Sequence, residues 1–322
     1  MRLLITGATG LVGRHVAKAA LDEGHQVTVL VRDASRLRPD IKDRAVVLQG
    51  PLDQQGVVPQ GTEAVLNCAG VLSTSRKAGF WDGNVFGPRS LYRDSRRAGV
   101  SAFVHLSSMG VYGLATAPHI REDTPVETHP QWRGGYTASK LDGDRLLLAE
   151  SEEGGPALSL LRPPVVYGEG VPLPLGRLGR PIPGGMALVA GRGGTSMPLI
   201  YAGNLAAAVL AAAQRRSKGV FNLVDDASQT QRQYLKMLRK VQVGTPRPLF
   251  MPMVALILPA ALLDRGLGLA RRSSHIAYRL RRNLSSLRVD DSRARSELAY
   301  RPRHALEEAL RLTCAGETRG AA

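Results

Sequence analysis

Tyr136 and Lys140 stand four residues apart in "YTASK", at the head of a stretch whose pattern predicts a helix over 136–150. At that spacing a phenol and an ammonium share one helix face. A free phenol titrates near ~10, too high for efficient proton transfer at neutral pH. A neighbouring ammonium stabilises the phenolate and lowers that value. A hydroxyl is on hand at Ser108, which closes "AFVHLSS". That run reads as a strand, and open α/β sheets bind ligands beyond their carboxyl ends. The Tyr–Lys spacing alone is also ordinary surface decoration, so the chemistry needs a cofactor site beside it.

"LLIT" is followed at once by "GATGLVG" and a helical run to about Glu23. Strand, glycine turn and helix are the context of a dinucleotide fingerprint, and no Lys-Ser/Thr makes it a P-loop. Gly7 permits the tight turn, Gly10 lets the backbone approach a diphosphate, and Gly13 lets helix and strand pack closely. With Thr9, Leu11 and Val12 they form a loop whose free N–H groups hold the anion. The next strand, "VTVLV", ends at Val31 with no carboxylate for an adenosine ribose, and Arg32 follows. A guanidinium there suits a 2′-phosphate, and Arg14, Arg36 and Arg38 add charge nearby. NADP(H) is therefore favoured. Asp33 keeps NAD(H) open through a short register shift, and Arg32 also reads plainly as an exposed strand-end residue.

These residues need a scaffold. "RLLIT", "VTVLV", "AVVLQ", "AVLNCA", "AFVHLSS" and "LSLLRPPVVYG" read as buried strands alternating with helices such as 11–23, 84–98 and 136–150. That alternation predicts a doubly wound parallel α/β sheet covered on both faces. Residues 1–170 form its core, with 195–227 returning to it. Residues 171–194 and 228–312 read as a smaller, mainly helical substrate lobe, and 313–322 as a frayed tail.

The 322 residues suffice for a large core. The net charge of +16 is lopsided: residues 1–170 carry 19 Lys+Arg against 18 Asp+Glu, and residues 171–322 carry 24 against 9. Such asymmetry fits an anionic partner or a plainly basic surface. Nucleic acid is not expected, since only 5% of residues are aromatic and no recognition motif appears. Cys68 and Cys314 leave no disulfide framework and no cysteine-based metal site, and no metal is expected. The first residues already read as a strand rather than a signal peptide, which points to a cytoplasmic protein. The apolar run "FMPMVALILPAALL" (250–263) is short for a membrane span and holds two prolines. It reads first as the core of the lobe, next as a substrate lid, and membrane contact is not expected.

"TGATGLVG", "NCAG" (67–70), "LSSMGVYG" (106–113), "YTASK" and "LRPPVVYGEG" (161–170) occur in the order and spacing of the extended short-chain dehydrogenase/reductases. The resemblance spans about 1–225, and "LRVDDSRARSELAYRPRHALEEAL" resembles the family's closing segment. It implies a Rossmann fold with Tyr136 as general acid/base, Lys140 tuning it and binding the nicotinamide ribose, and Ser108 rather than Ser107 holding the substrate oxygen. Asn84 resembles the family's helix Asn, with a structural or proton-relay role, or is an ordinary helix-start residue. Asn67, Ala69 and Gly70 lie along the cofactor on this reading, with Pro163 and Val166 near the nicotinamide. Pro51 replaces the usual adenine-contacting Asp, leaving Leu52 to pack on the ring.

Pro164 and Val165, and Ala202–Gly203–Asn204, replace polar residues typical of sugar-nucleotide epimerases. They tilt the reading toward the 3β-hydroxysteroid dehydrogenase and dihydroflavonol reductase style. The expected activity is hydride transfer between NAD(P) and a ketone or secondary alcohol, on a small substrate that is hydrophobic or anionic. A nucleotide-sugar epimerase or dehydratase is the alternative, and a non-catalytic dinucleotide binder a third reading. Relatives often dimerise through helices matching 84–98 and 136–150, a homodimer seam that Arg89, Arg93, Arg96 and Arg97 make unusually charged here.

Overall fold

The reversal that creates the site is a matter of strand order. The computed structural model describes all residues except 74–77, 114–118, 171–179, 226–228, 243–244, 270–274, 279, 281–285 and 321–322. β1 (Arg2–Thr6), β2 (Gln26–Val31), β3 (Val46–Gln49), β4 (Ala64–Asn67), β5 (Ala102–Leu106), β6 (Ala157–Arg162) and β7 (Gly219–Asn222) form one parallel sheet in the order 3-2-1-4-5-6-7. The chain builds outward from β1 to β3, then restarts on the other side of β1 at β4. Connections therefore diverge above β1 and β4 and leave a crevice at their carboxyl ends. Every residue of β4 and β5 is buried, as a sheet covered on both faces requires.

α1 (Leu11–Asp22) and α4 (Ala202–Gln214) cover one face, where Val16, Ala17 and Ala20 share a core with Ala206, Val209 and Ala213. Small alanines let the two helices approach closely. α2 (Gly87–Arg97) and α3 (Gly135–Glu152) cover the other, through Leu91, Tyr92 and Leu147. Arg89 and Arg93 of α2 both reach Glu150 of α3, at 2.6 and 2.7 Å, and Arg96 reaches Glu153 at 3.4 Å. Burial opposes ionisation of Glu150, but the two guanidiniums outweigh it and hold the carboxyl below its usual range. All four seam arginines are thus paired with acids of the same chain, since Arg97 pairs with Asp94 at 3.1 Å.

Two readings of the sequence change. "LSLLRPPVVYG" is not one strand: β6 stops at Arg162, and Val165–Tyr167 pairs in parallel with Leu199–Tyr201 in a separate small sheet. Pro163 and Pro164 have no N–H to continue the ladder. The frayed tail is instead the second half of a helix, α7 (Leu306–Gly320). Ala309 and Leu310 anchor α7 in the lobe's core, and buried Thr313 donates to Ala309 O at 2.7 Å.

The C-terminal part is largely helical. It contains α5 (Gln231–Val241), α6 (Val254–Leu269) and α7, and it adds a small sheet in which Met186–Ala190 lies between Arg180–Ile182 and Arg247–Met251. Ala294, Leu298 and Tyr300 return to the main core. The run expected to form the lobe's core does so only in part: Ala260 is buried, but Val254, Leu258, Leu262 and Leu263 of α6 are exposed. Among the described residues no helix is long and apolar enough to cross a membrane.

The tightest packing is at the first turn. A Cβ on Gly13 would sit 2.1 Å from Gly7 O, and one on Gly7, whose φ is +73°, would sit 2.7 Å from Ala69 N. Gly13→Ala is expected to destabilise the fold by on the order of 1–3 kcal/mol or more in urea titration, whereas Gly24→Ala, in open space at φ +78°, costs only its backbone strain.

Candidate active site

The loop after β5 presents two hydroxyls with opposite fates. Buried Ser107 turns inward and donates to Asp144 Oδ2 at 2.8 Å. Ser108, extended, caps the turn Met109–Val111 by accepting Gly110 N–H at 3.0 Å. Its hydroxyl lies near enough to the phenol of Tyr136, in the first turn of α3, to favour the phenolate. Burial raises the Tyr136 phenol above its ordinary value, the Ser108 hydroxyl pulls it back, and the charge of Asp144 raises it further.

One turn on, Lys140 is buried and its Nζ donates to Leu106 O at 2.8 Å. Burial lowers its ammonium to about 8, against the opposing pull of Asp144 and Cys68. The bond to Leu106 O ties the ammonium to the end of β5. A Cβ on Gly70 would lie 3.3 Å from both Lys140 Nζ and Asn84 Oδ1, so the missing side chain leaves space against the ammonium. Burial pushes the Cys68 thiol up to about 12, against the pull of Lys140.

Behind Lys140 lies a buried charge lattice. Asp144, one further turn along α3, accepts from Arg162 Nε and Nη2 at 3.1 and 3.0 Å as well as from Ser107. Burial raises its carboxyl and Arg162 counters that. The Arg162 guanidinium lies 4.9 Å over the Tyr112 ring, whose hydroxyl donates to Asn222 Oδ1 at 2.8 Å. Asp144 and Arg162 were missed in the sequence. The four-residue step from Lys140 to Asp144 was the available signal for one. Arg162 carried none.

Asn84 is buried inside a π-turn (Asp82–Phe86) that leads into α2, a distortion common at functional sites. Its Oδ1 accepts Val71 N–H at 2.8 Å, and its Nδ2 donates to Val71 O at 2.9 Å and Ser139 Oγ at 3.0 Å. It clamps the loop after β4 to α3. Asn67 is also turned inward: Thr6 donates to its Oδ1 at 2.6 Å, and its Nδ2 meets His105 Nδ1 at 2.9 Å. Burial, then Lys140, keeps His105 neutral by lowering its pKa well below the ordinary value. What borders the crevice after β4 is the half-buried Ala69 and exposed Gly70.

The cofactor groove is shaped by absence of side chains. Gly7 and Gly13 admit no Cβ, Gly10 is the N-cap of α1, and no side chain caps that helix. Thr9, Leu11 and Val12 are half-buried around it. Leu52 packs beside Gly87 at the start of α2, with its Cβ 3.1 Å from where a Gly87 Cβ would lie. Pro163 is buried and its carbonyl accepts Met109 N–H at 2.9 Å, while Val166 is half-buried in the small sheet. Arg32 is exposed beyond β2, and no salt bridge to it occurs among the described residues. Asp33 is committed to the next turn, accepting Ser35 N and Oγ at 3.0 and 2.6 Å. Arg14, in the first turns of α1, buries an Nη2 with no hydrogen-bond partner, and burial and Arg38 both lower its pKa. An uncapped helix start, glycines without room for Cβ and an unpaired buried guanidinium nitrogen together fit the diphosphate and phosphate groups of a dinucleotide. Among the described residues no cluster of His, Cys, Asp and Glu could hold a metal ion.

A model of the NAD dependent epimerase/dehydratase family matches residues 3–223, and the chain belongs to that family of NAD-dependent enzymes of the extended short-chain dehydrogenase/reductase type. It is similar to the 3-diazoavenalumate denitrifying reductase of a Streptomyces species, 27% identical over 321 residues that cover 94% of this chain and 97% of that protein. It is also similar to sterol demethylase protein B of Methylococcus capsulatus, 27% identical over 329 residues covering 94% of each. The fold matches that of UDP-glucuronic acid 4-epimerase from Bacillus cereus in complex with NAD, with a TM-score of 0.75 at 17% identity over the whole of both chains.

Removing one member of the buried lattice tests its role. Arg162→Met leaves Asp144 charged and unpaired, and a loss of about 3–5 kcal/mol in denaturant unfolding is expected. The double variant Arg162→Met/Asp144→Leu should recover most of that loss.

Proposed function

We propose that this chain is an NADP(H)-dependent oxidoreductase that moves hydride between nicotinamide and a ketone or secondary alcohol. The observation that carries the reading is the convergence at the carboxyl edge of the sheet of Ser108, just past β5, with Tyr136 and buried Lys140 one helical turn apart on α3, the Lys140 Nζ held by Leu106 O. Gly7, Gly10 and Gly13 with the first turn of α1 would hold the diphosphate, and Lys140 and Gly70 the nicotinamide ribose. When bound, the dinucleotide supplies or receives the hydride. Ser108 orients the substrate oxygen. Tyr136, kept protonated by burial, gives its proton to that oxygen on reduction and takes it back on oxidation. Lys140 has one N–H committed to Leu106 O, and its other donors serve the ribose.

The 2′-phosphate preference is supported by free Arg32, by the engagement of Asp33 with Ser35 and by the unpaired Nη2 of Arg14. Reduction rather than sugar epimerisation is supported by Asn204. It is buried and fully used, donating to Asp225 Oδ1 and His304 O and accepting Arg303 N and His304 N. Pro164 and Val165 offer no side-chain hydrogen bond to a sugar diphosphate. A relative named as a reductase supports reduction, and another named for sterol demethylation supports an apolar substrate.

Tyr136→Phe is expected to cut turnover on a carbonyl panel by about 10²–10⁴ while NADPH still raises the melting temperature. Near-normal turnover removes Tyr136 from the mechanism. Stronger stabilisation by NADH than by NADPH at equal concentration contradicts the Arg32 reading, and tightly held oxidised cofactor with sugar-nucleotide interconversion contradicts the reductase.

The pH response follows from Lys140. Its folded-state value of about 8 lies below the ordinary 10.5, so its charge is present below about 8 and lost as pH rises through it. The limb of kcat/KM is expected to fall above pH 8 and to move in Lys140→Arg. Folding stability should move the other way. Between about 8 and 10.5 the unfolded chain binds the proton that the folded one has released, so Lys140 contributes increasing stability.

A further inference from the structure

On α6 every exposed residue from 254 to 266 except Arg265 is apolar or glycine: Val254, Ala255, Leu258, Pro259, Leu262, Leu263 and Gly266. At 3.6 residues per turn these positions cover about half of the helix circumference. The exposure is large: Val254 71%, Leu258 58%, Leu262 63% and Leu263 52%. Scattered surface leucines are ordinary, but a continuous stripe at i, i+4, i+8 marks an interaction surface. The preceding strand adds exposed Leu249 at 48%.

Charge indicates what covers it. Residues 247–288 hold eight arginines and a single carboxylate, Asp264. That carboxylate is already engaged, accepting Ile276 N and Ala277 N at 3.0 and 2.8 Å. An apolar helical face within a segment so rich in arginine is the composition of an element lying in a lipid–water interface. An anionic bilayer supplies both the acyl surface and the counter-charge.

We propose that the apolar face of α6 docks on an anionic lipid surface, with exposed Arg265 on that face and the net positive charge of residues 247–288 drawn to the headgroups. The segment after α6 is tied to the helix by Asp264. The segment that Asp264 holds places His275 against Trp132, with rings stacked at 4.4 Å, and Tyr278 donates to Glu127 at 2.6 Å. Trp132 lies four residues before Tyr136. Docking through α6 and its charge requirement stand whether or not Tyr136 is catalytic.

The test is co-sedimentation of the whole chain with phosphatidylcholine vesicles, with and without phosphatidylglycerol. Binding is expected only to the anionic vesicles and is expected to weaken as salt rises. Leu258→Glu/Leu262→Glu, both exposed and so compatible with an unchanged melting temperature, should reduce vesicle binding about tenfold or more. Arg265→Glu should reduce it with the apolar stripe intact. Failure of the wild-type chain to bind anionic vesicles overturns the proposal, as does equal binding to neutral ones. A dimer in sedimentation equilibrium that Leu258→Glu/Leu262→Glu disperses, with no vesicle binding, assigns the face to a second copy and overturns it too.

Discussion

A lysine ammonium taken out of water at the end of a β-sheet is the constraint around which this site is arranged. Removing an ion from solvent costs several kcal/mol, so the charge persists only where fixed partners replace water. Lys140 finds the Leu106 carbonyl at the terminus of β5, and the field of Asp144 one turn below. Asp144 in turn requires Arg162 and Ser107, and Arg162 rests on the ring of Tyr112. This lattice ties α3 to β5 and β6 with little freedom of rotation. Tyr136, one turn before Lys140, is thereby held where Ser108 can reach it.

The second constraint is steric and lies on the other side of the crevice. Gly13 packs its Cα against the carbonyl of Gly7, and Gly7 packs against the backbone after β4. These contacts bring the start of α1 down onto the sheet edge, uncapped and facing the gap left by the strand-order reversal. The helix start suits an anion, and the Lys140 side suits a ribose and a reacting oxygen. The distance between the two ends is set by adjacent parallel strands, β1, β4 and β5, which is why a rigid sheet can serve a long cofactor.

Much of this was legible in the chain because each feature rests on a local rule. Gly7, Gly10 and Gly13 directly after a strand, and Tyr136 and Lys140 on one helix face, follow from turn sterics and helical period. The sheet followed from its continuous apolar runs. What the sequence concealed were facing directions and partners distant along the chain. In an all-apolar strand nothing distinguishes inward from outward, so Asn67 read as a cofactor contact although its amide is bound to Thr6 and His105. Arg162 and Asp144 meet across 18 residues with no motif to announce it. Residues 313–320, expected as a tail, continue the helix that Ala309 and Leu310 anchor in the lobe. The exposed face of α6 was concealed for the same reason, since apolar residues at helical spacing look alike whether they face a core or a surface.

The central claim is that Tyr136 delivers a proton while a carbonyl carbon accepts hydride from a bound nicotinamide. Single-turnover transfer of deuteride from NADPH labelled at C4 to a ketone, read by mass spectrometry of the alcohol, addresses both halves together. The account predicts one deuterium on the product carbon, formed at a rate that falls above pH 8 as Lys140 loses its charge. Label that remains on the cofactor while a sugar nucleotide is epimerised, or transfer that is indifferent to pH and to Tyr136→Phe, would contradict it.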